Sequence, residues 1–388
     1  MIYEPQEDSY LLLEALKKVV KPDHLILDMG TGTGLLADAA SKITDKVVAV
    51  DINPESIDLC TKNHRKTGII FKQSDLFENV NNKFDIIVFN PPYLPLDEDE
   101  PEDLRTATTG GKHGHEIIGR FMESASDYLV DDGKILLLFS TLTNKEKVEE
   151  AIKSNLFEFK NLSEQKISFE NLFVYSITKS AILKRLHSHG IINIRRLTKG
   201  HRGLIFTGSV ARHKVAIKMQ RTDIGASGTV NNEIQQLKTL NKKGIGPEVL
   251  FSGKDYFVYK FVEGDFILDA FENSDKHRIK KIMINVLDQC FTMDQMKLNK
   301  EEMHHPVKHV LVKGASIVML DFERCKFTQK PGNVTQFCQF ITSGLVRHVF
   351  DRKKLSLDKY RIMKTAQLYK RSLEKRWFDA LKDLISEA

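Results

Sequence analysis

From Leu25 onward the apolar residues come in short blocks, and the blocks alternate between two periods. The runs in "HLILDMG", "KVVAVD", "IIFKQSD", "FDIIVFN" and "KILLLFS" are nearly continuous, as expected of strands buried on both faces. Between them, "LLADAASKI", "PESIDLCTKNHRK" and "EIIGRFMESASDYL" carry apolar residues at helical spacing. Strand, helix and strand repeated in this way predict an α/β fold with a doubly wound, mostly parallel sheet. "FEFKNLSEQKISFENLFVYSIT" (157–178) then reads as two strands joined directly, an antiparallel edge that closes the sheet. A first domain is expected over 1–180.

The pattern changes after Lys179. "SAILKRLHSHG" reads as a helix ending on Gly190, with no Gly/Ser-rich linker, so the junction is expected to be semi-rigid. A second cycle begins with the strand-like "IRRLTKGHRGLIFTG" and "KVAIKM" and continues with helices, predicting a small α+β domain over 181–350. The stretch from 351 to 388 is basic and helix-periodic, and is expected to be a helical extension. At 388 residues the chain exceeds what one core usually serves, which agrees with more than one domain.

Charge divides the chain in the same place. Up to Ser180 there are 20 Lys and Arg against 31 Asp and Glu, a balance of −11; the remainder carries 38 against 21, or +17. A basic half of this kind suggests an acidic partner, RNA or the ribosome, for the second part of the chain. No apolar run approaches the roughly 20 residues of a membrane span, and the first residues carry acids rather than a signal-peptide pattern, so no membrane contact and a cytoplasmic location are expected. The four cysteines form no C-x-x-C pair, which argues against a zinc knuckle or a disulfide framework.

The candidate chemistry lies at the strand ends. "LILDMGTGTG" places Asp28 at the end of an apolar strand, followed by Gly30, Gly32 and Gly34. Glycines let a backbone approach a cofactor closely, and an acid opening the loop would repel a pyrophosphate but suits a cationic ligand, which favours S-adenosylmethionine over a dinucleotide. Asp51 ends the next strand, where a carboxylate can hold ribose hydroxyls, and Asp75 follows the third, where it would lie near an adenine amino group. Singly, each has a plain structural explanation, a tight turn or a helix start; together, after successive strands, they predict a cofactor site. The fourth strand ends on "NPPY". There Asn90 offers its side-chain carbonyl and Pro91 its backbone carbonyl, two fixed acceptors whose natural guest is a planar NH2, and Tyr93 can stack on it.

These residues resemble the class I amino-methyltransferases with an N-P-P-Y motif, which act on adenine, on amino groups of cytosine or guanine in RNA, or on a protein glutamine. "YEPQEDSYLLLEAL", "LDMGTGTG", "NPPYLP" and "TTGGKHGHEIIGRF", in this order, resemble the HemK-like glutamine methyltransferases of the short archaeal and eukaryotic branch, over about residues 1–178. The resemblance implies a Rossmann-like fold and methyl transfer to the glutamine of the Gly-Gly-Gln loop of a class I translation release factor. It implies that Asn90, Pro91 and Tyr93 bind the amide, that Gly30, Asp51 and Asp75 bind the cofactor, and that Glu7 and Asp8 lie where the N-terminal segment covers the site. A small zinc-containing activator chain is the partner it implies. "LDEDEPED" (96–103) carries six acids in eight residues and reads either as a solvated loop or as an acidic lip for a basic substrate face.

In the second half, "LTKGHRGLIFTG", "VAIKM" and "NNEIQQLKTL" follow in the order of a nucleotide-covering loop with Gly200 and Gly203, a strand lysine (Lys218) and a helix glutamate (Glu233). With Asp321 in "VMLDFERC" as metal ligand, these resemble the small atypical kinases of the RIO and aminoglycoside-phosphotransferase type over about 185–345, which implies ATP and magnesium as ligands. The likeness departs at the chemical centre, where His304 and His309 of "EMHHPVKHVLV" stand in the positions of the catalytic aspartate and the metal-binding asparagine. Glu301, Glu302 and Asp294 are the candidate substitutes. A histidine metal site is not expected, since no acid or cysteine stands at ligand spacing in the sequence. The leading expectation is a protein glutamine methyltransferase fused to a kinase-like module. A nucleic-acid amino-methyltransferase and a nucleotide-sensing adaptor are the alternatives.

Overall fold

In the computed structural model, residues 2–65, 67–99, 101, 105, 107–199, 203–220, 229–314 and 316–388 are described. Gly200, and Glu100, Glu102 and Asp103 of the acidic run, lie outside them. The chain packs as two compact units, Met1–Arg196 with Gly208–Ala211, and Leu197–Thr207 with Arg212–Ala388.

The first unit contains α1 (Glu7–Val19), β1 (Ile26–Met29), α2 (Leu35–Ser41), β2 (Val47–Asp51), α3 (Pro54–Asn63), β3 (Ile70–Gln73), β4 (Phe84–Phe89), α4 (Glu116–Tyr128), β5 (Leu129–Ser140), α5 (Lys145–Ser154), β6 (Phe157–Ile167), β7 (Glu170–Lys179) and α6 (Ala181–Ser188). Its seven strands are ordered β3-β2-β1-β4-β5-β7-β6. β1 to β5 are mutually parallel, and β7 runs antiparallel between β5 and β6. The expected closing hairpin is therefore present, with its second strand inserted inside the edge. β1 is buried throughout and β4 nearly so, because helices cover both faces of the sheet. Leu12, Leu13 and Leu16 of α1 join Ile26, Ala49, Val88 and Leu136 in one core cluster. The strand order reverses between β1 and β4, which opens a crevice at their carboxyl ends. α3 starts there because Pro54 presets the first helical turn and the Asn53 side chain accepts the Glu55 N–H at 3.0 Å.

The chain continues with β8 (Ile192–Lys199), β9 (Gly203–Val210), β10 (His213–Gln220), α7 (Thr229–Asn241), β11 (Val249–Ser252) and β12 (Tyr256–Lys260), whose strands form a sheet ordered β11-β12-β10-β9-β8. Then come β13 (Asp265–Phe266), α8 (Ile267–Glu272), α9 (Lys276–Gln295), β14 (Leu298–Asn299), β15 (Val310–Lys313), β16 (Ser316–Met319), β17 (Lys326–Phe327), α10 (Asn333–Ile341), α11 (Gly344–Arg352), α12 (Lys359–Ser372) and α13 (Lys375–Glu387). The basic segment 351–388 is no appendage: Ile362, Ala366, Tyr369, Phe378, Leu381 and Ile385 share one core with α9 and α10. Buried Asp294 ties these helices together, accepting from Asn333 N–H and Nδ2 at 3.0 and 2.7 Å and from the Tyr369 hydroxyl at 3.2 Å. It is thereby used up structurally and offers no substitute for a catalytic acid. Among the described residues no helix is long and apolar enough to cross a membrane.

Leu381 is fully buried in this core, and the single tryptophan, Trp377, packs against the same cluster. Leu381→Ala should destabilise the second unit by about 2–5 kcal/mol. Urea unfolding followed by Trp377 fluorescence measures this; an unchanged midpoint would mean that the last helices are held outside the cooperative core.

Candidate functional site

After β1 the chain turns sharply at Gly30 and Gly32, whose φ angles of +68° and +55° favour glycine. The N–H groups of Gly30 and Thr31 donate to the Val50 carbonyl at 2.8 and 3.0 Å, pinning the loop to the end of β2. Asp51 holds the same junction from the other side, accepting from Gly32 N–H at 2.8 Å and Asn53 N–H at 2.9 Å. Burial raises its pKa, with these amides acting against the shift. The Ile52 amide is a third donor, which leaves the carboxylate one lone-pair site for a hydroxyl.

Asp28 has a different place from the one expected. It is buried beneath the loop, accepts from Thr31 Oγ1 at 2.7 Å and Ala37 N–H at 3.0 Å, and is not part of the cleft wall. Oδ2 takes both bonds and so ties the glycine turn to the start of α2, while Oδ1 is buried without a hydrogen-bond partner; burial pushes its pKa up to about 6. Gly34 likewise caps α2 outside the cleft, and Glu7 is exposed in the first turn of α1.

The crevice is a cleft of about 450 Å³ walled by Gly30, Gly32, Asp51, Asp75, Asn90 and Tyr93, among others. Asp75 pairs with Arg120 of α4 at 2.8 Å. Arg120 has no sequence signal beyond its place on an amphipathic helix, and sequence reasoning misses it. At the end of β4, the Asn90 side-chain N–H2 donates to Asp8 Oδ2 at 3.0 Å and to Ser9 Oγ at 3.4 Å. Asp8 is itself buried; it also accepts from the Tyr3 hydroxyl at 3.0 Å and from Ser9 N–H and Oγ at 2.5 and 3.1 Å. A carboxylate facing the amide nitrogen fixes which end of Asn90 points where. Asn90 Oδ1 is left buried, without a hydrogen-bond partner, on a residue that lines the cleft. Burial, together with the Asp8 carboxylate, holds the Tyr93 phenol well above its ordinary pKa.

"GGKHG" has a mechanical reason. A side chain on Gly110 would come within 2.5 Å of the Pro92 carbonyl, and one on Gly114 within 2.5 Å of the Tyr93 carbonyl. The segment lies flat on the Pro-Pro turn and is tied to it by Gly110 N–H to Leu94 O at 2.9 Å. Glu170, the first residue of β7, also lines the cleft, and its Oε2 is buried and unpartnered. It too goes undetected in the sequence, where it is one acid among many on a polar hairpin.

The methyltransferase small domain family matches residues 5–169. A putative protein N5-glutamine methyltransferase of Methanocaldococcus jannaschii is 44% identical over 178 residues, 45% of this chain and 89% of its own. The chain belongs to the HemK-like protein N5-glutamine methyltransferase family. Methyltransferase HEMK2 of Homo sapiens is 30% identical over 193 residues, 46% of this chain and 90% of its own. The solved Mtq2–Trm112 complex of E. cuniculi, which methylates the eRF1 translation termination factor, gives a chain 30% identical covering 46% of this chain and 99% of that one, with a TM-score of 0.39. The first unit is thus an S-adenosylmethionine-dependent methyltransferase with the mixed, mostly parallel class I sheet. The cleft fits that cofactor: Asp51 keeps a free lone-pair site, the glycine turn permits close approach, and the acidic wall suits a sulfonium.

In the second unit, Lys218 of β10 lies 2.6 Å from Glu233 Oε2, 2.9 Å from Glu323 Oε1 and 3.4 Å from Asp321 Oδ1. Burial alone would lower its pKa, but the three carboxylates overcome this and keep the ammonium charged. Lys218, Glu233 and Asp321 are therefore brought together, with Glu323 as an addition. Gly203 is the first residue of β9. His304 is exposed, and Glu301 pairs with Lys326. His309 is less isolated than its sequence neighbours imply: Glu302 and Asp321 flank it at 3.1 and 3.9 Å, brought there by chain folding from positions 7 and 12 residues away.

Because folded Asp28 holds its proton up to about pH 6 against 3.8 for an ordinary aspartate, its stabilisation is complete below about pH 4 and is lost as the pH rises through 6. The loss is about 3 kcal/mol. Hydrogen exchange of the β1 amides between pH 4 and 7, after correction for intrinsic rates, should show this slope in the wild type and its flattening in Asp28→Asn; equal slopes would remove the group from the account.

Proposed function

We propose that the first unit methylates the side-chain nitrogen of a protein glutamine, that of the Gly-Gly-Gln loop of a class I translation release factor. The observation that carries this reading is Asn90, whose amide nitrogen is held by Asp8 while Oδ1 is left as an unpartnered acceptor in the cleft. A glutamine NH2 placed there donates one hydrogen to Asn90 Oδ1 and the other to the Pro91 carbonyl. Both acceptors strengthen as positive charge grows on nitrogen, and together they turn the lone pair toward the methyl. S-adenosylmethionine would supply that methyl on a sulfonium; Asp51 would hold its ribose, and Asp75, paired with Arg120, its adenine. Tyr93 stacks on the amide plane. No general base is needed, since the proton leaves after the methyl has arrived. Glu170 offers its free oxygen to a backbone N–H of the incoming peptide.

A polypeptide suits this cleft better than a nucleic acid, because the balance of −11 up to Ser180 opposes the phosphate contacts that dominate nucleic-acid affinity. The acidic run after the N-P-P-Y turn fits a basic, RNA-facing side of the substrate. A small zinc-containing activator is the proposed partner of this unit, and the cytoplasm the proposed location.

For the second unit we propose a RIO-like, kinase-like frame that binds ATP with a divalent ion, magnesium in the kinases it resembles, and that docks the protein on an RNA-bearing assembly. The Lys218–Glu233 pair and Asp321 supply the phosphate and metal contacts of such a frame, and Gly203 the covering strand. His304, exposed where a catalytic acid would align a hydroxyl, supports holding rather than phosphoryl transfer. The boundaries that go with this reading are 1–180 for transfer and 181–350 for the frame, completed by the helices of 351–388.

Mass spectrometry of a release factor and of total RNA, each incubated with the protein and labelled cofactor, tests the first proposal; label in RNA alone would sink it. Asn90→Ala should lower transfer by about 100-fold or more while cofactor affinity stays within a few-fold, because the lost acceptor acts in the transition state. Asp8→Ala should move the same two quantities in the same directions by freeing the amide to rotate. Equal losses of binding and transfer in both variants would refute the assigned roles. Lys218→Ala should abolish ATP binding in a calorimetric titration; unchanged binding would reject the nucleotide site.

A further inference from the structure

The tip of the β6–β7 hairpin breaks two local rules at once. Ile167 pairs with Glu170, so Ser168 and Phe169 form a two-residue turn, and Ser168 sits there at a φ of +33°. Such turns favour Gly, Asn or Asp. Phe169 is 100% exposed, a place where a phenyl ring gains nothing from folding. A sequence that departs from local preference with no gain in packing marks a functional position.

The tip is fastened to the methyl-transfer cleft. Asn171 N–H donates to Thr141 Oγ1 at 3.1 Å, which ties the start of β7 to the 3-10 turn Thr141–Thr143. Thr143 Oγ1 donates to the Tyr93 carbonyl at 3.1 Å, which ties the same turn to the N-P-P-Y segment. Leu142, between the two threonines, is 47% exposed. Phe169 and Leu142 are thus two uncovered apolar side chains on a rim that continues into the cleft. Glu170 is the step between them and the site: it follows Phe169 directly, lines the cleft, and keeps a buried Oε2 with no hydrogen-bond partner. Burial first, and then the charges of Asp8 and Glu170, raise the pKa of the Tyr3 and Tyr93 phenols, which places Glu170 on the Asn90 side of the cleft. A buried carboxylate oxygen is costly until a donor satisfies it, and exposed aromatic residues are the usual anchors of protein contacts.

We propose that Phe169, Leu142 and Glu170 form a docking rim for the substrate polypeptide: the two apolar side chains cover residues that flank the methylated glutamine, and Glu170 accepts a main-chain N–H where the chain enters the cleft. This rests on the reading of the cleft as a protein glutamine methyltransferase site, and adds to it how a polypeptide is told from a free amide. The carboxylates of Glu170 and Asp8 repel a phosphate backbone, so the exposed ring serves a protein contact and not stacking on a base. Contacts remote from the reacting nitrogen are made equally in the ground and transition states. They govern substrate affinity and leave turnover alone.

The test is steady-state transfer from labelled S-adenosylmethionine to a purified class I release factor by the full chain, with a cofactor titration on each variant. Phe169→Ser should raise KM for the release factor about 10-fold, with kcat and cofactor affinity within about two-fold. Phe169→Tyr keeps the ring and should restore the wild-type KM. Glu170→Ala should raise KM by about 10-fold or more. Leu162→Ser removes an apolar side chain of similar exposure, 46%, from the body of β6, and should change none of these quantities. Transfer by the wild type with an unchanged KM in Phe169→Ser, or an equal rise in Leu162→Ser, would overturn the rim and leave the methyl-transfer reading standing. No transfer to the release factor by the wild type would overturn both. Label that enters RNA, and falls in Phe169→Ser, would put a nucleic acid in place of the polypeptide and refute the rim as stated.

Discussion

The proposed methyl-transfer site hangs on one hydrogen bond, that from the Asn90 amide nitrogen to Asp8, spanning 82 positions of sequence. A free asparagine in a cleft can present either end. With its nitrogen committed to a buried carboxylate, it presents an acceptor only, and an acceptor is what an amide NH2 requires. Most of what surrounds the pair serves to keep it in place. α1 carries Asp8 and is buried through Leu12, Leu13 and Leu16; the Pro-Pro turn fixes the backbone after Asn90; Gly110 and Gly114 press on that turn from outside. The Tyr3 hydroxyl donates to the same carboxylate, and the Tyr93 phenol feels its charge. Desolvation makes each of these bonds worth more than it would be at the surface, and makes any unpaired member costly.

Much of this was legible in the sequence, and the failures have a common cause. The strands, their order of appearance, the glycine turn and the Pro-Pro turn after β4 depend on local pattern, which a chain displays directly. That Asp28 lies beneath the loop was not legible, because a loop acid looks the same in sequence whether it points outward or inward; the bonds from Thr31 and Ala37 decide. Asp8 was placed near the site by resemblance, but its bond to Asn90 has no local signature. Arg120 and Glu170 were missed for the same reason, each being one charged residue on an otherwise ordinary amphipathic element.

The second unit shows the same limit of local pattern. Glu302 and Asp321 come to His309 only through chain folding, across 7 and 12 positions. Its core is also larger than composition suggested, because the final basic stretch carries an apolar stripe under its lysines and arginines and buries it against α9. A high positive charge and a structural role in the core are compatible when the two lie on different faces of one helix.

The strand order has a consequence for synthesis. β6 pairs only with β7, and β7 alone pairs with the outer side of β5, so β5 stands as an open edge until β7 has left the ribosome. From Ser140 to Lys179, at about 5–20 residues per second, that interval is roughly 2–8 s. Throughout it, "KILLLFS" is an uncovered apolar strand carrying no charge after Lys134, the kind of segment that recruits strands from neighbouring chains. A nascent chain of this topology has a timed need for a chaperone, and codon choice between positions 140 and 179 would set how long that need lasts.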